Sequence, residues 1–518
     1  MDFMSNLENK IGMETENGAI VYKNSSKPLV DLNYMVGSMR KLLSIFNKTK
    51  KADQDFSRFR RKFMEAFSED PFYTTIWLFY LRDPRNGLGE RDLFRILFTD
   101  LAESKKNMNF IPLLECVFEH GRIDDFIKIG CRIDIDETVR IIDQTIQIDL
   151  KRASEDKSIS LLAKWMPSIN TSSRETVRLA KDICRRSRFF RDDYRLYAKT
   201  LKKLREHLKV VETRMSENRW DEINYSEVPS KANVIYGKAF LRHDTERREK
   251  FIKDVSAGKA KVNTSALFPY EVVRMVQDNN YDNDYINAIW NKLPAPKKKL
   301  KNTVVFRDGS SSMFDNVSGH TTAMDIGDAL TLHIAKYSEG CFHNKFITFS
   351  SYAEVVDVDP DDLCGAMHIL RSYDSYNTDI VMPFQAVLET AIENDLSQEE
   401  LPDKVIVISD MEFDDVVTSS EYDDTISYHS RNRIKLFDYL ENMYEEEGYK
   451  LPHLVFWNVN NRTGGIPKIE NEKGLTLMSG FSARAFDMLL SEKLDPWVIL
   501  REVLDNPVFS DVAKEVVV

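Results

Sequence analysis

A chain of 518 residues with 42% apolar and 30% charged side chains holds enough material for two to four globular domains. No run reaches the ~18 uninterrupted apolar residues of a membrane span, and Met1–Glu8 lacks the basic-then-apolar pattern of a secretory signal. The five cysteines are scattered, without a Cys-x-x-Cys pair, which argues against a disulfide framework or a cysteine zinc site and for a reducing, intracellular, cytoplasmic setting. The formal net charge of −11 hides an asymmetry: residues 301–518 carry 17 Lys+Arg against 39 Asp+Glu, and residues 1–300 carry 55 against 44. Such a division points to an acidic module joined to one with an anionic partner, or to two halves that attract each other.

Residues 1–30 read as an extension, and residues 31–293 as serial helices. Phe59, Phe63 and Phe67 recur every four positions, and the apolar run 72–81 is stopped by Arg82-Asp83-Pro84. Helical patterns follow at 93–101, 111–120, 123–129 and 135–150. The longest, 192–214, places Leu201, Leu204, Leu208, Val211 and Met215 on one stripe, with Lys199, Lys202, Lys203, Arg205, Lys209 and Arg214 on other faces. Helical pairs in series predict an α-solenoid of the HEAT class. Within it, Arg185, Arg186 and Arg188 interleave with Phe189 and Phe190, and Arg247 and Arg248 lie in a second basic stretch. Arginine beside aromatic rings suits phosphate contact with base stacking, so these residues, with Lys199, Lys202, Lys203 and Arg205, are candidate RNA contacts. The alternative is a set of solvated helix faces.

Residues 294–301 combine Pro294 and Pro296 with Lys297, Lys298, Lys299 and Lys301, a basic linker that either is simply solvated or meets phosphate. A strand ending in Val304-Val305-Phe306 then runs into Asp308-Gly309-Ser310-Ser311-Ser312. One carboxylate and two hydroxyls at the carboxyl end of a strand form half of an oxygen cage for a hard divalent cation. Thr378 follows in a loop. Val405–Ile408 is a continuous apolar run, as in a strand buried on both faces, and it leads to Asp410. Both aspartates read as exposed loop carboxylates. Further strands are expected at 345–350, 454–459 and 474–481, with helices between them completing a doubly wound sheet over 302–518. That segment is expected to fold alone, and the acidic stretch 414–447 to be an exposed insertion. A phosphohydrolase of the haloacid dehalogenase type would need a second acid where Ser310 stands. His320, His333 and His343 offer no nucleophile–base pair.

The order Asp308-x-Ser310-x-Ser312, Thr378, Asp410 resembles the metal-ion-dependent adhesion site of von Willebrand factor A domains. The resemblance implies Mg²⁺ (or Mn²⁺ or Ca²⁺) held by the two hydroxyls and by the acids directly or through water, with one position open to an acidic group of a partner. Leu81–Arg91 resembles a segment of the TROVE module of Ro ribonucleoproteins. Gly121–Asp125, Leu161–Ser168 and Tyr225–Ala232 resemble an uncharacterised family that couples a TROVE-like helical region to a C-terminal A-like domain, over roughly residues 15–515. This implies a helical ring closed by the A domain, which in Ro proteins binds misfolded and small structured RNAs. The expectation is a non-enzymatic, metal-dependent scaffold binding RNA or a ribonucleoprotein. Its rivals are a protein–protein adaptor acting through the metal site without nucleic acid and, less favoured, a metal-dependent phosphohydrolase.

Overall fold

The computed structural model describes residues 27–516 apart from 46–49, 107, 265–266, 279–282, 297, 319, 350–352, 374–378, 412–435, 461–474 and 481–494, together with the short strands Met13–Glu14 and Ile20–Val21. Two compact units are formed, and neither is continuous in sequence. Met1–Asp70 joins Leu267–Asn506, and Pro71–Ala266 joins Pro507–Val518.

Helices α1 (Pro28–Ile45) and α2 (Lys50–Glu69) come first, and the four-residue aromatic spacing is realised: Phe56, Phe59, Phe63 and Phe67 of α2 are all buried. The helical unit begins with α3 (Pro71–Arg82) and holds α4 (Arg91–Ser104), α5 (Ile123–Ile133), α6 (Ile135–Ser154), α7 (Arg174–Arg186), α8 (Tyr194–His207) and α9 (Thr245–Ser256), with shorter turns between them. The helix expected over 192–214 is therefore two pieces. Lys209 adopts a left-handed conformation at φ 52° while its N–H and that of Val210 return to Glu206 and Arg205, a helix-ending turn, and Val211–Ser216 starts anew.

The Leu81–Arg91 motif is a structural turn. Asp83 accepts hydrogen bonds from the backbone N–H groups of Arg85 and Asn86, and a side chain at Gly87 would collide with the Tyr80 carbonyl. Arg82 and Arg95 both bond Asp125, while Arg95 and Arg122 grip Asp124. The Gly121–Asp125 motif is thus the acidic side of a buried ion network.

After α10 (Pro269–Asp278) and α11 (Asn283–Trp290) come the six strands of the main sheet: β1 (Thr303–Asp308), β2 (Lys345–Phe349), β3 (Ala353–Asp357), β4 (Lys404–Ser409), β5 (His453–Asn458) and β6 (Leu475–Ser479). The intervening helices are α12 (Ala323–Tyr337), α13 (Leu363–Leu370), α14 (Val381–Glu393), α15 (Leu436–Glu446) and α16 (Pro496–Leu504), and α17 (Ser510–Lys514) ends the chain's helices. Strand order is β6-β5-β4-β1-β2-β3, parallel except for β3, which returns antiparallel on β2. The chain is thus helix-rich with a C-terminal α/β sheet of mostly parallel strands. β3 was not anticipated. Most of the expected acidic insertion lies outside the described residues, but its end is α15, whose Leu440 and Tyr444 are buried and whose Tyr444 hydroxyl donates to the Phe384 carbonyl of α14.

The unit boundaries depart from the expected break at 294–301. α1, α2, α10 and α11, read from sequence as part of the helical module, belong to the unit that contains the sheet. The physical reason is visible at α1, which packs across the carboxyl ends of β5 and β6. There Asn458 donates its side-chain amide to the Tyr34 carbonyl at 2.8 Å, and the Gly37 N–H meets the Ser479 hydroxyl. Any Cβ at Gly37 would run into the Asn458 carbonyl oxygen, so the approach requires glycine.

Candidate cation site and basic surface

Strand β1 alternates its side chains between two helical layers. Arg307 turns toward α12, where it bonds Asp328 at 2.7 Å, while Phe306 packs edge-on against Phe384 of α14. Asp308 ends the strand on the Phe306 side. Here strand order reverses between β1 and β4, the place where open α/β sheets leave a crevice for ligands. Asp308 is fully buried. Its Oδ1 accepts the Ser310 N–H at 2.9 Å, and its Oδ2 accepts the hydroxyl of Ser409, the last residue of β4, at 2.5 Å. Ser409 Oγ in turn accepts the N–H of Met411, a buried residue with left-handed backbone (φ 64°) that turns the chain sharply after Asp410. Gly309 leaves room for the Tyr373 carbonyl, which an added Cβ would approach to 3.0 Å.

The buried Ser310 and half-buried Ser312 bring their hydroxyl oxygens to 3.0 Å from each other. Asp410 is fully buried at the end of β4. Neither aspartate is the exposed loop carboxylate expected from sequence, because Asp308 closes β1 and Asp410 directly follows β4, both buried. Thr378 lies outside the described residues. Burial pushes the Asp308 carboxyl above its usual range, and the bonds from Ser409 and Ser310 and the Arg307 charge only partly oppose this. An ionised carboxylate beside paired hydroxyls is a donor set that suits a hard divalent cation. Among the described residues, no cluster of three His, Cys, Asp or Glu side chains is placed to hold a metal.

Two residues at this edge were missed. Ser409 carried a signal, a hydroxyl immediately before the strand-ending acid. Asn460, two residues beyond β5, is buried, and neither of its side-chain amide atoms is hydrogen-bonded among the described residues. Helix α1 also reaches this region: Lys41 pairs with Asp315, just past the serine turn, at 2.6 Å.

The basic candidates divide sharply. Arg188 is exposed, as are Lys199, Lys202 and Lys203 on α8, with Lys202 3.3 Å from Glu217. Arg185 and Arg186 end α7, exposed and paired with Asp182 and Asp136. Arg205 is a correction. Its guanidinium donates to the Ala163 and Met166 carbonyls and the Ser168 hydroxyl, tying down the Leu161–Ser168 motif, and burial lowers its pKa. Arg248 is a second correction. It is fully buried among the rings of Tyr225, Phe240 and Phe251 and bonds Asn233. Arg247 bonds the Trp220 and Ile223 carbonyls and Asp244, so it too serves mainly the fold.

Comparison with known proteins places residues 302–497 in the match to a domain of unknown function, DUF7788, and residues 139–305 in the match to a second, DUF2828. An uncharacterized protein of Acanthamoeba polyphaga mimivirus is 25% identical over 539 residues, spanning 96% of this chain and 88% of that protein. Among solved structures, the crystal structure of the Deinococcus radiodurans Ro (RSR) protein aligns with 87% of this chain and 92% of its own at 11% identity, with a TM-score of 0.36. Among the described residues no helix is long and apolar enough to cross a membrane.

Proposed function

We propose that this protein is a non-enzymatic, divalent-cation-dependent binding scaffold, with a von Willebrand A-like sheet unit that holds the ion and a helical unit of HEAT-like repeats that contacts RNA or a ribonucleoprotein. The observation that carries the first part is the Ser310–Ser312 hydroxyl pair, 3.0 Å apart beside the buried carboxylate of Asp308. Asp308, Ser310, Ser312 and Asp410, with Thr378, would hold Mg²⁺ or Mn²⁺. The bound ion would supply a positive charge able to attract an acidic group of a partner. The RNA reading is supported by exposed bases that face solvent on α7 and α8.

The ion is tested by calorimetric titration of Mn²⁺ into the full chain. Asp308→Asn removes the charge while keeping one of the two acceptor oxygens that Ser310 and Ser409 use, and Ser310→Ala with Ser312→Ala removes the hydroxyls. Both variants should lose at least tenfold in affinity, about 1.4 kcal/mol. Wild-type affinity in both would reject the site. Nuclease-sensitive nucleic acid copurifying with the chain separates the RNA scaffold from a protein adaptor that uses the metal site alone.

A further inference from the structure

Helix α7 is started by Ser173, whose hydroxyl accepts the Thr176 N–H, and it buries Ala180, Ile183 and Cys184 on one side. Arg174, Arg178, Lys181 and Arg185 stand on another side at intervals of four, three and four residues. Those intervals keep the four bases within an arc of roughly 60° along about 16 Å of helix. They line, with Thr171 and Ser172, a groove of 560 Å³. The acids nearby are too few to neutralise them. Asp182 is shared by Arg178 at 3.9 Å and Arg185 at 3.2 Å, and Arg174 has no ion-pair partner among the described residues. Arg178 is 87% exposed in its side chain. An aromatic ring flanks the row: Tyr194, at the start of α8, lies under the Lys181 ammonium at 5.8 Å, and its hydroxyl engages Asp192 and, more weakly, Arg185.

We infer that the α7 face is a track for single-stranded RNA, its phosphates against Arg174, Arg178, Lys181 and Arg185 and a base stacked on Tyr194. A row of charge longer than any one phosphate selects a run of phosphates, and an aromatic at its side selects a strand with unpaired bases. The inference rests on the RNA reading above and relocates its main contact from the 185–191 and 199–205 stretches to the 174–185 face.

The test is fluorescence anisotropy of a labelled single-stranded oligouridine RNA on the full chain, between ~50 and ~200 mM salt. Four phosphate contacts give a slope of log affinity against log salt of about −2.8, and removing two makes it shallower by about 1.4. Arg178→Gln with Lys181→Gln, both at exposed positions, should lower affinity about tenfold with that change of slope. The exposed pair Lys250→Gln with Lys253→Gln on α9 should not. Tyr194→Leu should weaken RNA several-fold and leave inorganic polyphosphate binding unchanged. If the wild type binds RNA and the α7 pair matches the α9 pair, the track is wrong while the RNA reading stands. Polyphosphate binding with RNA affinity unmoved in Tyr194→Leu would overturn the assignment to RNA. A wild-type chain that fails to bind at ~50 mM salt, where phosphate contacts are strong, would overturn both.

Discussion

His120 is 2% exposed and presents both ring nitrogens to carboxylates: Nδ1 lies 3.0 Å from Asp83 and Nε2 2.9 Å from Asp511. Ionised carboxylates only accept, so both nitrogens must carry protons and the ring must be a cation. Burial opposes that charge, but the bonds to Asp83 and Asp511 outweigh it and raise the His120 pKa, while the same contact helps hold Asp83 below the usual carboxylate range. The bridge fastens α17 to the turn after α3, and Phe509 packs on the imidazole at 5.1 Å and on Tyr80 at 6.4 Å. A histidine whose folded pKa is raised adds stability that is fully present below its ordinary value and lost as pH rises through the folded value. The C-terminal segment should therefore loosen on the alkaline side.

Removing one partner of a fully buried ion pair costs about 3–5 kcal/mol. Here the loss is smaller, because Asp83 retains the donors of Arg85 and Asn86, and Asp511 is 40% exposed and stays solvated. About 2 kcal/mol is expected for His120→Gln, which is roughly a thirtyfold increase in opening. Hydrogen exchange of residues 507–516, corrected for intrinsic rate, reads this directly. Protection should fall between mildly acidic and alkaline pH in the wild type and be low throughout in His120→Gln. Equal protection in the two proteins near neutrality, or no pH dependence in the wild type, would refute the cationic bridge.

Arg248→Ala should destabilise the full chain by about 3–5 kcal/mol, because it empties a fully buried aromatic cage. Arg188→Ala, at an exposed position, should stay within ~0.5 kcal/mol. Thermal melts that cannot tell the two apart would place Arg248 at the surface after all. Residues 302–518 alone should be poorly packed and bind hydrophobic dyes, because α1 buries Tyr34, Met35, Val36 and Met39 in the unit that contains the sheet. Joining 27–70 to 267–506 should restore a dispersed amide spectrum, and such a spectrum from 302–518 by itself would contradict the division into units.

Strands β1, β4 and β5 were legible because a strand covered on both faces must be apolar along its whole length, and their burial is nearly continuous. β3 escaped notice because it is an antiparallel edge strand whose Glu354 and Val355 face solvent, so neither an apolar run nor a clean alternation marks it. The attachment of α1 to the sheet was invisible for a different reason. Periodicity shows that a segment has an apolar face and not what covers it, and the Gly37–Ser479 contact spans 442 residues of sequence. At the cation site, the residue types and the strand-to-turn setting of Asp308, Ser310 and Ser312 were legible. The support from Ser409 depends on β4 lying beside β1 and could not be read from either segment alone.

Charge was the least legible feature, and the reason bears on how basic sequences are read. The densest cluster, 185–191, was read as a candidate nucleic-acid contact, yet Asp143 holds the Arg188 and Phe189 backbone while Asp136 engages Arg186. Density along the chain distributes bases around every side of a helix, where local acids and carbonyls engage them. A sparse row at helical period concentrates charge on one side and leaves a surplus open to a polyanion. Arg174, Arg178 and Lys181 form such a row. A base's availability to a partner is set by its place in the helical period and by the acceptors within reach, which is why Arg205, one turn from Leu201 on the same helix, binds carbonyls while Lys202 and Lys203 remain at the surface.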